Sequence, residues 1–162
     1  MEKKARYYID KLGLTAHPEG GFYTETYRGK QEILNSEGNE RNISTAIYFL
    51  LTGNQKSHFH RIKSDELWFH HDGNTIVINV IRNNKLEMIH LGKDLEKGEV
   101  LQASIPANCW FASHVKGKKG FALVSCTVAP GFDFADFEMA KKRDLTYQYP
   151  AYKDVFAELC LG

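Results

Sequence analysis

The chain has few cysteines, almost no net charge and no long apolar run. Its 3 cysteines form an odd set without the close CxxC spacing of metal-binding or redox pairs. The 21 basic and 20 acidic residues leave a formal charge of only +1, which favours neither nucleic acid nor an acidic membrane as a partner. No stretch approaches the ~18 apolar residues that span a bilayer, and the N-terminus lacks the apolar core and cleavage site of a signal peptide. We therefore expect a reduced, cytoplasmic protein without a membrane or nucleic-acid partner.

The arrangement of apolar and turn residues predicts a mostly β protein. Residues 3–13 have the spacing of a short amphipathic helix, and a second helical pattern begins at Pro150. Between residues 21 and 129 short β-rich runs alternate with turn residues, and Asn83-Asn84 has the composition of a tight hairpin turn. Many short strands without intervening helices indicate a sandwich or barrel, and the 162 residues suit one domain, residues 1–162. The expected strands are Phe22–Tyr27, Thr45–Leu51, His58–Ile62, Glu66–His71, Thr75–Arg82, Lys85–His90, Val100–Ile105, Trp110–Val115 and Phe121–Val128.

Histidine and glutamate cluster in the segment HFHRIKSDELWFHHDG. On a strand, residues two apart face the same side at a separation of about 7 Å. His58 and His60 therefore share one face of their strand, and Glu66, Trp68 and His70 share one face of the next. If these strands lie side by side, imidazoles and a carboxylate meet in one cavity, which predicts a binding or catalytic site there.

Four segments combine with this cluster into a longer pattern. They are HPEGGFYTETYR (His17–Arg28), STAIYFLL (Ser44–Leu51), FHRIKSDELW (Phe59–Trp68) and APGFDFADFE (Ala129–Glu138). With Gly53, the histidine pair, Glu66 and Gly73, the pattern resembles the cupin superfamily, and within it the uncharacterised cupin-five branch. The resemblance implies a double-stranded β-helix, or jelly-roll barrel, with short N- and C-terminal helices, which pairs as a homodimer and encloses a pocket. The branch itself has no settled activity, so the resemblance predicts the fold rather than the chemistry.

The resemblance also raises the question of a metal, because cupins often hold one with two histidines and a glutamate. The second motif of metal-binding cupins corresponds to Ile105–His114, and Phe111 stands where that motif has its histidine. Phenylalanine has no lone pair, so this protein ligand is missing. His58, His60 and Glu66 with water would still form a chemically competent site. We expect no tightly held cofactor, with a divalent metal at these three residues as the alternative.

Three classes of function remain open. The first is a metal-independent epimerase or isomerase, as in the dehydrorhamnose epimerases of the superfamily, which use a histidine base and a tyrosine acid. His60 would be the base because an imidazole titrates near neutral pH. Glu66 would orient it, and Tyr48, or alternatively Tyr23 or Tyr27, would return the proton.

The second class is a metal-dependent dioxygenase, isomerase or hydrolase built on the histidine pair and Glu66. The third is a non-catalytic ligand-binding or storage module, which the fold also hosts. In each case the expected ligand is a small polar ring compound, such as a sugar or nucleotide-sugar, held by polar and aromatic side chains. The expected ligand-binding residues are His58, Trp68, His70, Trp110 and Phe111.

Overall fold

Two antiparallel sheets pack face to face in the computed structural model, which describes residues 1–162. The larger sheet has the strand order β1-β2-β5-β12-β7-β10, the smaller sheet has the order β13-β6-β11-β8-β9, and β3 pairs only with β4. This arrangement is the jelly-roll barrel that the sequence predicts. In chain order the elements are α1 (Lys3–Leu12), β1 (Thr15–Ala16), β2 (Phe22–Arg28), β3 (Glu32–Leu34), β4 (Glu40–Asn42), β5 (Thr45–Thr52), β6 (Lys56–Arg61), β7 (Asp65–Gly73), β8 (Ile76–Arg82), β9 (Lys85–Leu91), β10 (Gln102–Ile105), β11 (Phe111–Val115), β12 (Phe121–Ala129), β13 (Glu138–Met139), α2 (Lys142–Gln148) and α3 (Lys153–Leu159).

Side-chain alternation places the apolar residues of both sheets inside the barrel. In β7, for example, Glu66, Trp68 and His70 are buried while Leu67 and His71 are exposed, as the period of two along a strand requires. The interior cluster draws on both sheets and has Phe49, Trp68, Ile78, Phe111 and Val124 among its fully buried members. Burial of such side chains supplies most of the driving force for closing the barrel.

The three helices cover the outer faces of the sheets. The α1 helix packs on the larger sheet, where Ala5 and Leu14 join Leu50 and Leu123 in one cluster. On the smaller sheet Phe59 and Ile81 pack against α2 and α3, with Phe156 at the centre of the contact. Because these faces are covered, β8 is buried on both sides. No helix combines the length and the apolar character needed to span a membrane.

The hairpin between β8 and β9 confirms the turn expected from the sequence. Asn83 and Asn84 both have positive φ, at 51° and 62°, which is the conformation of a two-residue hairpin turn and one that asparagine tolerates. Other elements differ from the sequence-based expectation, and the short strands β1 and β13 are among them. Glu32–Leu34 and Glu40–Asn42 form a short hairpin where an irregular loop is expected from Leu34, and α2 is an additional helix.

The strand β2 is only partly exposed at the edge of its sheet. β1 pairs with Phe22 and Tyr23, and the rest of β2 pairs with β5 alone. A free stretch of backbone therefore remains from Thr24 to Arg28. The expected homodimer with this strand near its interface stays a prediction.

Candidate functional site

A cavity of about 470 Å³ occupies one end of the barrel. Strands β2, β5, β6, β7 and β12 contribute most of its wall. The Phe-rich loop (residues 130–137), His17 and Glu19 before β2, and Ile62 after β6 contribute the rest. Its aromatic residues are Tyr23, Phe49, Trp68, Phe132, Phe134 and Phe137. Its ionisable residues, besides Tyr23 and Cys126, are His17, Glu19, Glu25, Arg28, His60, Glu66 and Asp133. A mostly apolar wall with a few convergent polar groups is typical of a small-molecule site.

A glycine turn carries Glu19 into this cavity. Gly20 and Gly21 have φ values of 110° and 83°, which glycine adopts without strain. A side chain on Gly20 would overlap the Lys56 carbonyl, and one on Gly21 would lie 2.9 Å from Phe49 Cζ. The turn therefore packs tightly against the barrel, and Glu19 is only 6% exposed.

Glu19 and His60 form a buried ion pair. His60 Nε2 lies 2.7 Å from Glu19 Oε2, and His60 Nδ1 lies 2.7 Å from the His58 carbonyl oxygen, to which it donates. Ser57 Oγ donates to the other carboxylate oxygen at 2.8 Å. Burial by itself lowers the pKa of His60 and raises that of Glu19, but the attraction between the two outweighs it, so the pKa of His60 is raised and that of Glu19 is lowered. The pair is therefore imidazolium and carboxylate near neutral pH.

Glu66 is the buried carboxyl whose pKa lies closest to neutrality. Burial raises the pKa of Glu66 to about 7, with the charge of His60 opposing this shift and that of Glu19 adding to it. Trp68 lies two residues further along β7 on the same face, and its buried indole N–H lies close enough to the Glu66 carboxyl to oppose part of the rise in the Glu66 pKa. Glu66 can therefore both release and accept a proton at neutral pH.

His17 forms another part of the polar floor. The Glu19 backbone N–H donates to His17 Nδ1 at 3.2 Å, so the proton of the neutral ring is on Nε2. Burial lowers the pKa of His17, which keeps the ring neutral near pH 7. Its ring packs edge-on against Tyr23, with the two centroids 4.5 Å apart.

The Phe-rich loop closes one side of the cavity with stacked rings. Phe132 and Phe134 meet edge-on with their centroids 4.9 Å apart. Phe137 stacks on the His60 ring at 5.2 Å, and Phe111 packs on the same imidazole at 4.2 Å. The ion pair is thus shielded from water by aromatic rings, which strengthens its electrostatic interaction.

The family follows from comparison with known proteins. A family model described as "Cupin superfamily (DUF985)" matches residues 6–140, most of the chain. The chain belongs to this cupin family. A hypothetical protein from Leishmania major is 36% identical, with a TM-score of 0.93 over 98% of this chain and 99% of that one. A Shewanella oneidensis protein is 38% identical, with a TM-score of 0.88 over 99% of each chain.

Other comparisons add a curated relative and more distant folds. An uncharacterised protein of Saccharomyces cerevisiae is 30% identical over 150 residues, which covers 84% of this cupin and 75% of the yeast protein. A cupin-2 domain protein from Rhodospirillum rubrum is 14% identical, with a TM-score of 0.58 over 92% of this chain and 89% of that one. Oxalate decarboxylase from Bacillus subtilis is 12% identical, with a TM-score of 0.55 over 89% of this chain and 36% of that one. These last two similarities show the fold alone.

The side chains of this cupin do not fit the metal that many cupins hold. No group of three or more histidine, cysteine or acidic side chains is placed to bind a metal ion. The ring of His58 turns back to the glycine turn, with Nδ1 2.8 Å from the Glu19 carbonyl oxygen. Both nitrogens of His60 are engaged by Glu19 and by the His58 carbonyl. The predicted triad of His58, His60 and Glu66 therefore does not converge on one point.

Of the residues predicted from the sequence, His60, Glu66 and Trp68 line the cavity. His58 and Phe111 do not line it, although both lie close to it. The glycine turn covers His58, and Phe111 lies behind the imidazole of His60 with 1% of its surface exposed. Neither side chain is part of the cavity lining, and their expected role as ligand-binding residues stays a prediction.

Tyr48, His70 and Trp110 do not line the cavity, and their expected roles in a site stay predictions. Tyr48 sits between the inward-facing Ile47 and Phe49 on β5 and therefore faces outward, 5.9 Å from the ring of His71. His70 shares its strand face with Glu66 but lies further along β7, where Nε2 is 2.9 Å from the Asn74 carbonyl oxygen. Trp110 packs beside the C-terminal helices, under the guanidinium of Arg61 at 4.2 Å.

Sequence reasoning missed His17 and Glu19 as site residues. Both lie in the segment His17–Arg28, which belongs to the family-like pattern, but no local spacing relates them to His60. Glu19 precedes His60 by 41 positions, and only the packing of the glycine turn on β6 brings the two side chains together.

Proposed function

We propose that this cupin binds a small ring compound in the barrel cavity and isomerises it by proton transfer without a metal. The observation that supports this most is Glu66, a buried carboxyl with a pKa of about 7 on the floor of an aromatic-walled cavity. A titratable group that burial tunes to neutrality inside a cavity is a recurring property of catalytic acids and bases.

Glu66 suits the role of base better than His60, which the sequence favours. Both nitrogens of His60 donate hydrogen bonds, and the pKa of the ring is raised by Glu19. An imidazolium has no free lone pair with which to take a proton. His60 instead supplies fixed positive charge beside Glu66, which favours the carboxylate form that a base requires.

The proposed step removes a proton from a carbon next to a ring carbonyl. The C–H electron pair moves into a C–C double bond, the carbonyl oxygen becomes an enolate oxygen, and Glu66 carries the proton. Return of a proton to the same carbon from the opposite face regenerates the carbonyl and completes an epimerisation, and Tyr23 is the tyrosine that lines the cavity and could supply this proton.

Deuterium exchange tests the proposal on mixtures of compounds, so the substrate does not have to be identified first. The protein is incubated in D₂O with pools of small ring ketones, lactones and free sugars, and incorporation at the carbon next to the carbonyl is followed by NMR. The wild-type protein is expected to label at least one compound, and Glu66→Gln to slow labelling by about 10²–10⁴-fold. Glu138→Gln is the control, because Glu138 pairs with Arg61 on the surface.

Two results would contradict the proposal. Labelling that Glu66→Gln leaves unchanged would remove Glu66 as the base. Compounds that bind, as judged by a rise in melting temperature, but never exchange deuterium would instead support a non-catalytic binding module.

A further inference from the structure

We infer that the cavity selects a neutral or cationic, nitrogen-bearing ring compound and rejects phosphorylated or carboxylated ligands. This inference rests on the proposed ligand-binding function and narrows its substrate class. It excludes the nucleotide-sugars that the sequence alone leaves open.

The charges that line the cavity are mostly negative. Its carboxyl-bearing residues are Glu19, Glu25, Glu66 and Asp133, whereas positive charge comes only from Arg28 and from protonated His60. His60 is already paired with Glu19 inside the protein. The cavity therefore has more carboxylate than cation to offer a ligand, and an anion entering it is repelled.

Arg28 is the cation that an anionic ligand would have to use, and four of its five N–H donors are already engaged. Its Nε and one terminal nitrogen donate to the two carboxylate oxygens of Glu25, at 3.1 Å and 2.6 Å. The other terminal nitrogen donates to Asn42 Oδ1 at 2.8 Å, and a further bond reaches the Phe132 carbonyl oxygen at 3.1 Å. A carboxylate or phosphate would have to compete with Glu25, which holds this half-exposed guanidinium in a two-pronged contact.

The cations next to the cavity are paired in the same way. Arg41 donates to both carboxylate oxygens of Asp136, at 2.8 Å each. Lys63 Nζ lies 2.6 Å from Glu37 Oε2. Neither residue lines the cavity. No nearby lysine or arginine is therefore available to reverse the charge of the mouth.

The walls favour the same class of ligand. The faces of aromatic rings attract cations and ring N–H groups, and Tyr23, Trp68 and Phe132 are among the aromatic residues that surround the space. Glu66 and Asp133 offer carboxyl oxygens to ligand N–H donors.

Calorimetry tests the inference with related ring compounds whose substituent carries a positive charge, no charge or a negative charge. One series is tryptamine, tryptophol and indolepropionate, and a smaller one is benzylamine, benzyl alcohol and benzoate, all at pH 7.5. In each series that binds, the amine is expected to bind at least ten-fold more tightly than the acid, with the alcohol between them. Glu25→Gln should narrow or reverse this order because it frees Arg28, while Glu138→Gln should leave it unchanged.

The outcomes separate this inference from the proposed function. Acids that bind as tightly as the amines, or more tightly, would overturn the charge selection and leave ring binding intact. The same preference for amines in Glu25→Gln and in the wild-type protein would show that Arg28 and Glu25 do not govern it. Failure of every probe in both series at millimolar concentration would contradict the ring-binding function as well.

Discussion

The two ends of the barrel interior lie between the same two sheets but differ in what they bury. At the closed end Ile76, Ile78, Leu91 and Val115 are fully buried and pack as an ordinary apolar core. At the open end, the same sheets surround a cavity of about 470 Å³ with Glu19, His60 and Glu66 on its floor. The barrel interior is thus an apolar core at one end and a cavity at the other.

This contrast separates the part of the cupin that stabilises the fold from the part that carries function. Apolar side chains at the closed end stabilise the fold simply by leaving water. The ion pair and the third carboxyl at the open end cost solvation energy, and even a well-paired buried salt bridge is weak support for stability. Buried ionisable groups with shifted pKa values beside a cavity are better explained by binding or catalysis.

Removal of Glu19 should have the largest effect on stability. Glu19→Ala leaves the imidazolium of His60 buried without its partner, and such a loss typically costs about 3–5 kcal/mol in the free energy of unfolding. Urea denaturation measures it. The matched control is Glu138→Ala, which breaks the exposed pair with Arg61 and should cost about 0–1 kcal/mol.

The loss caused by Glu19→Ala should also depend on pH. The raised pKa of His60 contributes stability that is complete below its ordinary value of 6.5 and disappears as pH rises through the folded value. The lowered pKa of Glu19 contributes stability that is present above 4.5 and disappears as pH falls through the folded value. The difference in unfolding free energy between the wild-type protein and Glu19→Ala is therefore expected to be largest between pH 4.5 and pH 6.5. A loss below about 1 kcal/mol throughout that range would show that the pair does not matter for folding.

Glu66 should make the protein less stable as pH rises. Its folded pKa of about 7 exceeds the ordinary value of 4.5, so the protonated form is favoured in the fold, and this stability is lost between those values. Relative to Glu66→Gln, the wild-type protein should lose up to about 1.4 kcal/mol per pH unit over that interval, or about 3 kcal/mol in all.

Melting temperatures across pH 4–8 for the two proteins check this prediction. Ile78→Val at the closed end serves as the control, because it should cost about 0.5–1.5 kcal/mol without altering the pH dependence. Parallel pH profiles for the wild-type protein and Glu66→Gln would mean that Glu66 titrates as an ordinary carboxyl.

The smallest effect is expected from Tyr48→Phe. Tyr48 faces the outer side of β5, away from the cavity, so loss of its hydroxyl should leave probe affinity and deuterium exchange unchanged and alter stability by about 0.5 kcal/mol or less. Tyr23→Phe is the matched change inside the cavity. If Tyr48→Phe impairs exchange and Tyr23→Phe does not, the assignment of the tyrosines is reversed.

Local patterns in the sequence were enough to predict which face of β7 points inward. The period of two along this strand predicts that Glu66, Trp68 and His70 share a face, and all three are buried. Strand periodicity also predicts a β-sandwich or barrel, and two adjacent asparagines predict the β8–β9 hairpin. These properties depend on neighbouring residues in the chain, so a single sequence is enough to reveal them.

The depth of each side chain and the meeting of distant residues depend instead on the tertiary fold. The side chain of His70 points into the barrel with Glu66, but it lies too far along β7 to reach the cavity. The alternation of side chains does not tell where along the strand the cavity lies. Glu19 reaches His60 because two glycines let its turn pack against β6, and the Phe-rich loop reaches the same cavity from beyond β12. Such contacts join segments far apart in the chain, where no local period relates one residue to another.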